Sequence, residues 1–299
     1  MVRLLPGGRR LYLHDGPIDL IVEAYGQGEQ IRAAYDAAAL RFPTILDELC
    51  AELVLLRQAA HCSGLRPHGV IAQRMARAVE PYAERCFITP MAAVAGAVAE
   101  EILVTMTKSA ELARCYVNNG GDIALHMMAG ESFSVGVIDQ PERPSLFGAL
   151  KISAEENVRG LATSGWRGRS FSLGIADAVT VLAKNASAAD AAATIIANAV
   201  DLPGHPGIVR VPAREIMPDN DLGELGVTRA VPELCSDEVE TALAAGVAVA
   251  CELISAGLLV AAALHLQGQT RVAPQELRIR NLAADKNRSD LLGGRVAHV

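Results

Sequence analysis

The stretch Leu161–Gly174, LATSGWRGRSFSLG, concentrates groups that bind anions and flat rings. Thr163 and Ser164 bring hydroxyls, Trp166 is the only tryptophan of the chain, and Arg167 and Arg169 follow it. Hydroxyls and exposed N–H groups in such a loop bind phosphate or a ring edge. Two guanidinium groups can neutralise a pyrophosphate by paired hydrogen bonds, and an indole stacks on an aromatic ring. Gly165 and Gly168 leave the loop free to bend around a ligand. The nearest acidic residues in sequence are Glu155, Glu156 and Asp177, so both arginines are expected to be left for an anion. A surface turn with solvated arginines and a half-buried tryptophan accounts for the same residues.

Upstream lies Asn118-Asn119-Gly120-Gly121-Asp122, between two apolar segments. Asn and Gly tolerate positive φ, so a hairpin turn explains the glycines. It does not explain the Asp that follows, and glycines also let a ligand approach the backbone. Asp190 and Thr194 stand four residues apart near the start of a helical pattern and share one face. A carboxylate, a hydroxyl and nearby carbonyls form a hard oxygen site suited to Mg²⁺, which in turn favours a diphosphate. Ser187-x-x-Asp190 also reads as a capping box. Asp219, Asp221 and Glu224 form an acidic loop that reads first as a solvated turn and second as a cation site. No Ser-His-Asp order, Cys-His couple or Walker-type glycine loop is present. Of the six cysteines none forms a C-x-x-C pair, so they read as buried free thiols; His61, Cys62 and His68 are a weak zinc candidate.

The elements that must position these residues follow from periodicity. Residues 9–26 alternate apolar and polar on both sides of His14-Asp15-Gly16-Pro17, which predicts a hairpin. Ile31, Ala34, Tyr35 and Ala38 mark a helix ended by Phe42-Pro43, and Ile45, Leu46, Leu49, Leu53 and Leu56 mark a second. Thr89 and Pro90 open a third, whose first turns are so bare that they can lie against a flat ligand or another backbone. Strand patterns fill residues 113–153 and 175–183, a helix 187–200, a short strand 207–213, a long helix from Ser236, and a strand 258–268. Strand pairs and helix pairs alternate in blocks, which predicts an α+β fold with a largely antiparallel sheet and packed helices. One domain is expected over residues 1–274, with internal duplication suggested by the blocks, and a polar tail over 275–299.

Composition bounds the partners. The chain has 299 residues, 51% apolar but only 4% aromatic, so its core is built from Ala, Val, Leu and Ile. A net charge of -7 with no basic block argues against nucleic acid. The N-terminal stretch has no apolar core of the kind a signal peptide needs, and Ala244–Leu266 is interrupted by Glu252 and Gly257. A cytoplasmic protein without a membrane segment is expected, and that apolar stretch reads as a buried helix followed by a buried strand.

In order, the Asn-Gly-Gly-Asp turn, the Thr-Ser-Gly loop, a valine-rich strand and the Ala-Asp-Ala-x-x-Thr helix resemble the ApbE superfamily, named for its FAD:protein FMN transferases. The likeness covers roughly Phe87 to Val200 at motif level. It implies a T-fold-like α+β architecture that binds FAD. It implies a flavin-site turn at Asn119, Gly120, Gly121 and Asp122, a cofactor loop at Thr163, Ser164 and Gly165 continuing into Trp166 and Arg167, and Mg²⁺ ligands at Asp190 and Thr194. The chain departs from the family at one place. Transferases carry a His-Ile-Ile-Asp-Pro-x-Thr-Gly-like segment after the Thr-Ser-Gly loop, whereas only Trp166–Ile175 fills that gap here, with no His and no Pro. His14 and His126 are the substitutes to locate in the fold. The resemblance therefore leaves several functions open: flavin transfer to an acceptor protein, a non-catalytic accessory role in cofactor or sulfur-transfer assembly with a partner protein, or a pocket for another heterocycle such as a pterin.

Overall fold

The computed structural model describes residues 1–60, 66–138, 146–274, 280–281 and 296–298. It opens with β1 (Val2–Leu4), β2 (Arg10–Asp15) and β3 (Ile18–Tyr25), followed by helices α1 (Gly28–Arg41), α2 (Ile45–Ala51), α3 (Leu53–Leu56), α4 (Val70–Val79) and α5 (Val94–Ser109). Strands β4 (Arg114–Asn119), β5 (Asp122–Met127), β6 (Ser132–Ile138), β7 (Leu146–Ser153), β8 (Gly160–Ser164) and β9 (Ala178–Ala183) come next. The chain continues through α6 (Ala186–Ala199), β10 (Val209–Pro212), α7 (Ala213–Ile216), β11 (Gly226–Ala230), α8 (Ser236–Ser255), β12 (Ala261–Leu266) and β13 (Gln269–Ala273). Beyond these, β14 (Arg280–Asn281) and β15 (Val296–His298) are described within the stretch expected to be a tail; they pair with β7 and β6.

The fold is α+β. Among the described residues, nine strands form one antiparallel sheet in the order β1-β2-β3-β4-β5-β8-β9-β12-β13. Chain order is kept across it, with β6–β7 and β10–β11 left out as separate ribbons. The element order repeats: a strand pair, helices and a strand pair (β2 to β5), then the same again (β8 to β13). Alternation along each strand sorts side chains to two faces. Val117, Ala124, Ala162, Val181 and Ala262 face the core shared with the helices, whereas Tyr116, Ile123, Leu125, Leu161 and Leu182 pack with Phe133, Val135 and Ile152 of the small sheet on the other side.

Alanine dominates the helix layer because the helices meet backbone to backbone. A Cβ at Gly96 would collide with the carbonyl of Ala186, so the first turns of α5 and α6 touch. The bare start of the third predicted helix thus lies against another backbone. Its entry follows the sequence: Thr89 Oγ1 accepts from Met91 N at 3.2 Å and Pro90 leads the first turn.

Several elements differ from expectation for identifiable reasons. The second predicted helix breaks at Glu52, whose carboxylate turns aside to accept His68 N and Gly69 N at 2.7 Å each. That acceptor serves α4, which the sequence reading missed and whose own N-cap, Gly69, has no side chain. α8 is capped by Cys235 with Glu238 rather than by Ser236. α8 is also not a buried helix: Ala244, Ala245, Ala248 and Glu252 face outward while Leu243, Gly246, Ala250 and Leu253 face the core. Among the described residues one helical stretch, Pro90–Ser109, is long and apolar enough to cross a membrane, and half of it is covered by the rest of the protein.

Candidate functional site

The β4–β5 hairpin closes on the pair Asn119–Asp122. Gly120 and Gly121 both have positive φ, +64° and +113°, the geometry of a tight primed turn that L side chains disfavour. Gly121 N donates to Asn118 Oδ1 at 2.8 Å, and Asn119 Nδ2 donates to Ala95 O at 3.1 Å, tying the hairpin to the start of α5. The turn is therefore a true hairpin turn, and it also has a neighbour. Arg169 reaches back from its loop and lays its guanidinium over Gly120, so a Cβ there would strike Nη2.

Two carboxylates converge beneath the turn. Asp122 Oδ1 accepts from Thr163 N at 3.3 Å. Asp190 Oδ2 accepts from Gly96 N at 3.0 Å, in the first turn of α5. A carboxylate at a helix N-terminus is favourable, and burial outweighs that benefit here. Desolvation pushes the Asp122 carboxyl up to about 7 against the opposing pull of the Thr163 amide and Arg169. Asp190 is raised well above the ordinary carboxylate range, first by burial and then by the charge of Asp122. Like charges sharing a desolvated site hold protons that neither would hold alone. Thr194 lies one helical turn beyond Asp190 on the same face, half-buried. The capping-box reading of Asp190 fails: α6 is capped by Asn185, whose side chain accepts from Ala188 N at 2.9 Å.

The Thr163–Arg169 loop sits at the same sheet end. Thr163 offers Asp122 its amide, because its hydroxyl is taken by Thr180 Oγ1 at 2.9 Å. Ser164 ends β8, half-buried. Gly165 is not a hinge: a Cβ there would collide with the Asp177 carbonyl, so the glycine serves close backbone packing. The expectation that both arginines are left for an anion is overturned for Arg167. Its Nε meets Asp177 Oδ1 at 2.7 Å, and its guanidinium covers the Trp166 ring at 4.4 Å. Trp166 Nε1 donates to the same oxygen at 3.2 Å, and Gln267 N donates to Asp177 Oδ2 at 2.7 Å. Asp177 lies ten positions after Arg167 in the chain, beyond the reach of a local argument, and the β8–β9 pairing closes that gap. The nearly buried Asp177 is thus a hub that the sequence reading did not single out. Asp177→Ala is expected to cost about 2 kcal/mol, because it leaves three donors without their acceptor. Urea denaturation checks this; a loss below about 0.5 kcal/mol would show that the hub is dispensable.

The family model described as AbpE bacteria matches residues 2–272. The chain belongs to that family. It is also 41% identical over 128 residues to a UPF0280 protein of Methanopyrus kandleri, covering 43% of this chain and 48% of the relative. A UPF0280 protein of Archaeoglobus fulgidus is 39% identical over 140 residues, covering 46% and 52%. The chain thus spans about half the length of these curated relatives. The family relation expected from the motif order is met at that level.

In this AbpE-family chain the remaining candidates are placed elsewhere. His14 stacks on Tyr12 at 6.2 Å, on the sheet face opposite the carboxylates. His126 stands at the far end of β5 from Asp122 and contacts Leu112 O at 3.3 Å. Neither replaces the missing histidine segment. Two carboxylates of the acidic loop have partners outside it: Asp221 accepts from Thr89 Oγ1 at 2.5 Å and Glu224 pairs with Arg214. His61 and Cys62 lie outside the described residues, and His68 is exposed. The cysteines are not mostly buried: Cys50, Cys86, Cys235 and Cys251 are exposed, and only Cys115 among the described ones is enclosed, its thiol pushed up to about 12 by burial. No group of three or more His, Cys, Asp or Glu side chains converges among the described residues.

Proposed function

We propose that this protein binds FAD with Mg²⁺ at the sheet end where the Asn119–Asp122 turn, the Thr163–Gly165 segment and Asp190 meet. The observation that carries the reading is the pair of desolvated carboxylates, Asp122 and Asp190, under a side-chain-free glycine turn. The donor set fits Mg²⁺, which binds through one or two carboxylates plus phosphate and retained water rather than in an all-protein cage. Two like charges that oppose each other in a half-buried site would be relieved by a dication, which when bound would also neutralise a diphosphate. Asp122 and Asp190 would hold it, with Thr194 on the same helix face.

The protein's own residues supply the rest. The Gly120–Gly121 turn, with no side chains of its own, allows a flat or charged group to approach the backbone. Asp177 clamps Trp166 and Arg167 so that the loop keeps one shape, and the two would brace the loop from behind rather than touch the ligand. The bare gap at Trp166–Ile175 favours binding without efficient transfer.

FAD titration with Mg²⁺ and with EDTA tests the reading, for wild type and Asp190→Asn. Wild type should bind more tightly with Mg²⁺ by about 10-fold or more, and the variant should lose that difference. Equal affinity in all four cases would remove Asp190 from the metal site. A protein that ignores FAD and takes up a pterin would replace the flavin.

A further inference from the structure

We propose that Arg169 is the residue that selects a diphosphate-bearing ligand at this site, and that in the ligand-free protein it stands in as the countercharge of Asp122. The proposal takes the site's position from the flavin reading, but it does not depend on which ring the ligand carries.

The two arginines of the loop have different surroundings. Arg167 is spent on Asp177 and Trp166. Arg169 is exposed, lies with its guanidinium against Gly120, and makes no close ion pair among the described residues. Its charge acts on Asp122 from a distance, in the direction that favours the carboxylate. A guanidinium held only by long-range attraction is cheap to redirect. It also carries five donors in a planar fork, the geometry that grips phosphate oxygens in pairs. Gly120 is required twice over: positive φ, and space for that fork.

This placement makes Arg169 and a dication rivals when no ligand is present and allies when one is. A cation at Asp122 and Asp190 repels the guanidinium and cancels its attraction to Asp122. A diphosphate lying on the turn then meets a positive charge on each side. Removing Arg169 should therefore shift metal and ligand affinity in opposite directions, which mere loss of structure would not do.

Isothermal titration of the full chain tests this, using Mg²⁺ alone and then FAD, ADP, inorganic pyrophosphate and riboflavin in saturating Mg²⁺. Arg169→Ala should raise affinity for Mg²⁺ alone by roughly 3- to 10-fold. It should lower affinity for FAD, ADP and pyrophosphate by about 10- to 100-fold, and far less for riboflavin, which has no phosphate. Arg169→Lys should fall between, keeping the charge without the fork. Arg167→Ala should change stability while leaving the ratio of FAD to riboflavin affinity as in wild type. An Arg169→Ala variant that weakens Mg²⁺ and every ligand alike, or that keeps the wild-type FAD-to-riboflavin ratio, would overturn the proposal. Wild type that takes ADP and pyrophosphate but not FAD, with both weakened in Arg169→Ala, would support Arg169 and overturn the flavin reading. Wild type that takes none of the diphosphates with Mg²⁺ would overturn both.

Discussion

Ligand-free protein carrying Asp122→Asn is expected to be more stable than wild type at pH 8 and equal to it near pH 4. The folded state holds the Asp122 proton up to about 7, and holds that of Asp190 more tightly than an exposed carboxylate would. In the unfolded chain both release their protons near the ordinary value of about 4. A carboxyl raised on folding binds protons better in the folded state, so the Asp122 contribution declines as pH rises from about 4 through about 7, and the raised Asp190 adds to the decline. The fall reflects the cost of ionising two opposed groups away from water. Asn at position 122 keeps an oxygen for Thr163 N and cannot ionise, so it removes that cost. Discounted for partial exposure of the pair, the gain is on the order of 2 kcal/mol at pH 8, or roughly 3–6 °C in Tm. Thermal melts of both proteins at the two pH values measure it; the difference between them cancels the titration of every group that Asp122 does not touch, and includes the relief of Asp190 from the Asp122 charge. Saturating Mg²⁺ at pH 8 should stabilise wild type and leave the variant unmoved. A variant that is destabilised equally at both pH values would mean that Asp122 is a structural acceptor and nothing more. The expected result is instead a residue whose charge harms the empty fold and serves the loaded one.

The architecture was legible because the period-two and period-3.6 patterns were clean where side chains face a core. The β2–β3 hairpin falls on Asp15–Ile18 as the turn chemistry predicts, and Thr89 and Pro90 open the 3-10 turn, Pro90–Ala93, that leads into α5. What escaped has a common cause. α4 shows its core face at Ile71, Met75 and Val79, yet its N-cap is a glycine and the acceptor is borrowed from Glu52, seventeen positions upstream. β13 follows β12 through a two-residue turn and is only half-buried at an edge of the sheet, so it presents no apolar run. An acceptor supplied by another element and an edge strand leave little periodicity to read.

The meeting of the candidate residues was legible in the sequence, and their separate partners were not. Gly120, Gly121, Asp122, Thr163 and Asp190 do come together. Nothing local could show that Arg167 and Arg169, two positions apart, face different partners. That outcome is decided by the close packing of Gly165 on Asp177, which turns one guanidinium inward and releases the other toward the turn. Likewise Asp190 read as a cap, because Ser187-x-x-Asp190 fits the pattern locally. The true cap, Asn185, sits at the junction with β9 and only the backbone geometry marks where the helix begins.

Covalent transfer of FMN to an acceptor protein is expected to be at least ~10²-fold slower than for an ApbE transferase carrying the histidine segment, assayed alongside. Transfer requires a group that takes the proton of the acceptor hydroxyl as it attacks phosphorus, and proton transfer by a placed residue typically contributes ~10²–10⁴-fold. The segment that would bring such a group is replaced here by Trp166–Ile175, whose Trp166 and Arg167 are held on Asp177. The two histidines that could have filled in do not. His14 is on the opposite face of the sheet, and His126 is at the far end of β5. A carboxyl near 7 has the strength of a general base, which makes Asp122 a competitor. Binding of Mg²⁺ would disqualify it: a carboxylate bound to a dication is ionised at far lower pH and its lone pairs point at the metal. An ion that favoured FAD would therefore take away the base. Incubation with FAD, Mg²⁺ and an acceptor protein bearing a flavinylation motif, followed by in-gel flavin fluorescence and intact mass, gives the rate. Slow or absent labelling alongside clear FAD binding is the expected pattern. Labelling at the rate of the reference transferase would show that a base has been overlooked. If that rate then rose with pH through about 7 and vanished in Asp122→Asn with FAD binding retained, Asp122 would be that base.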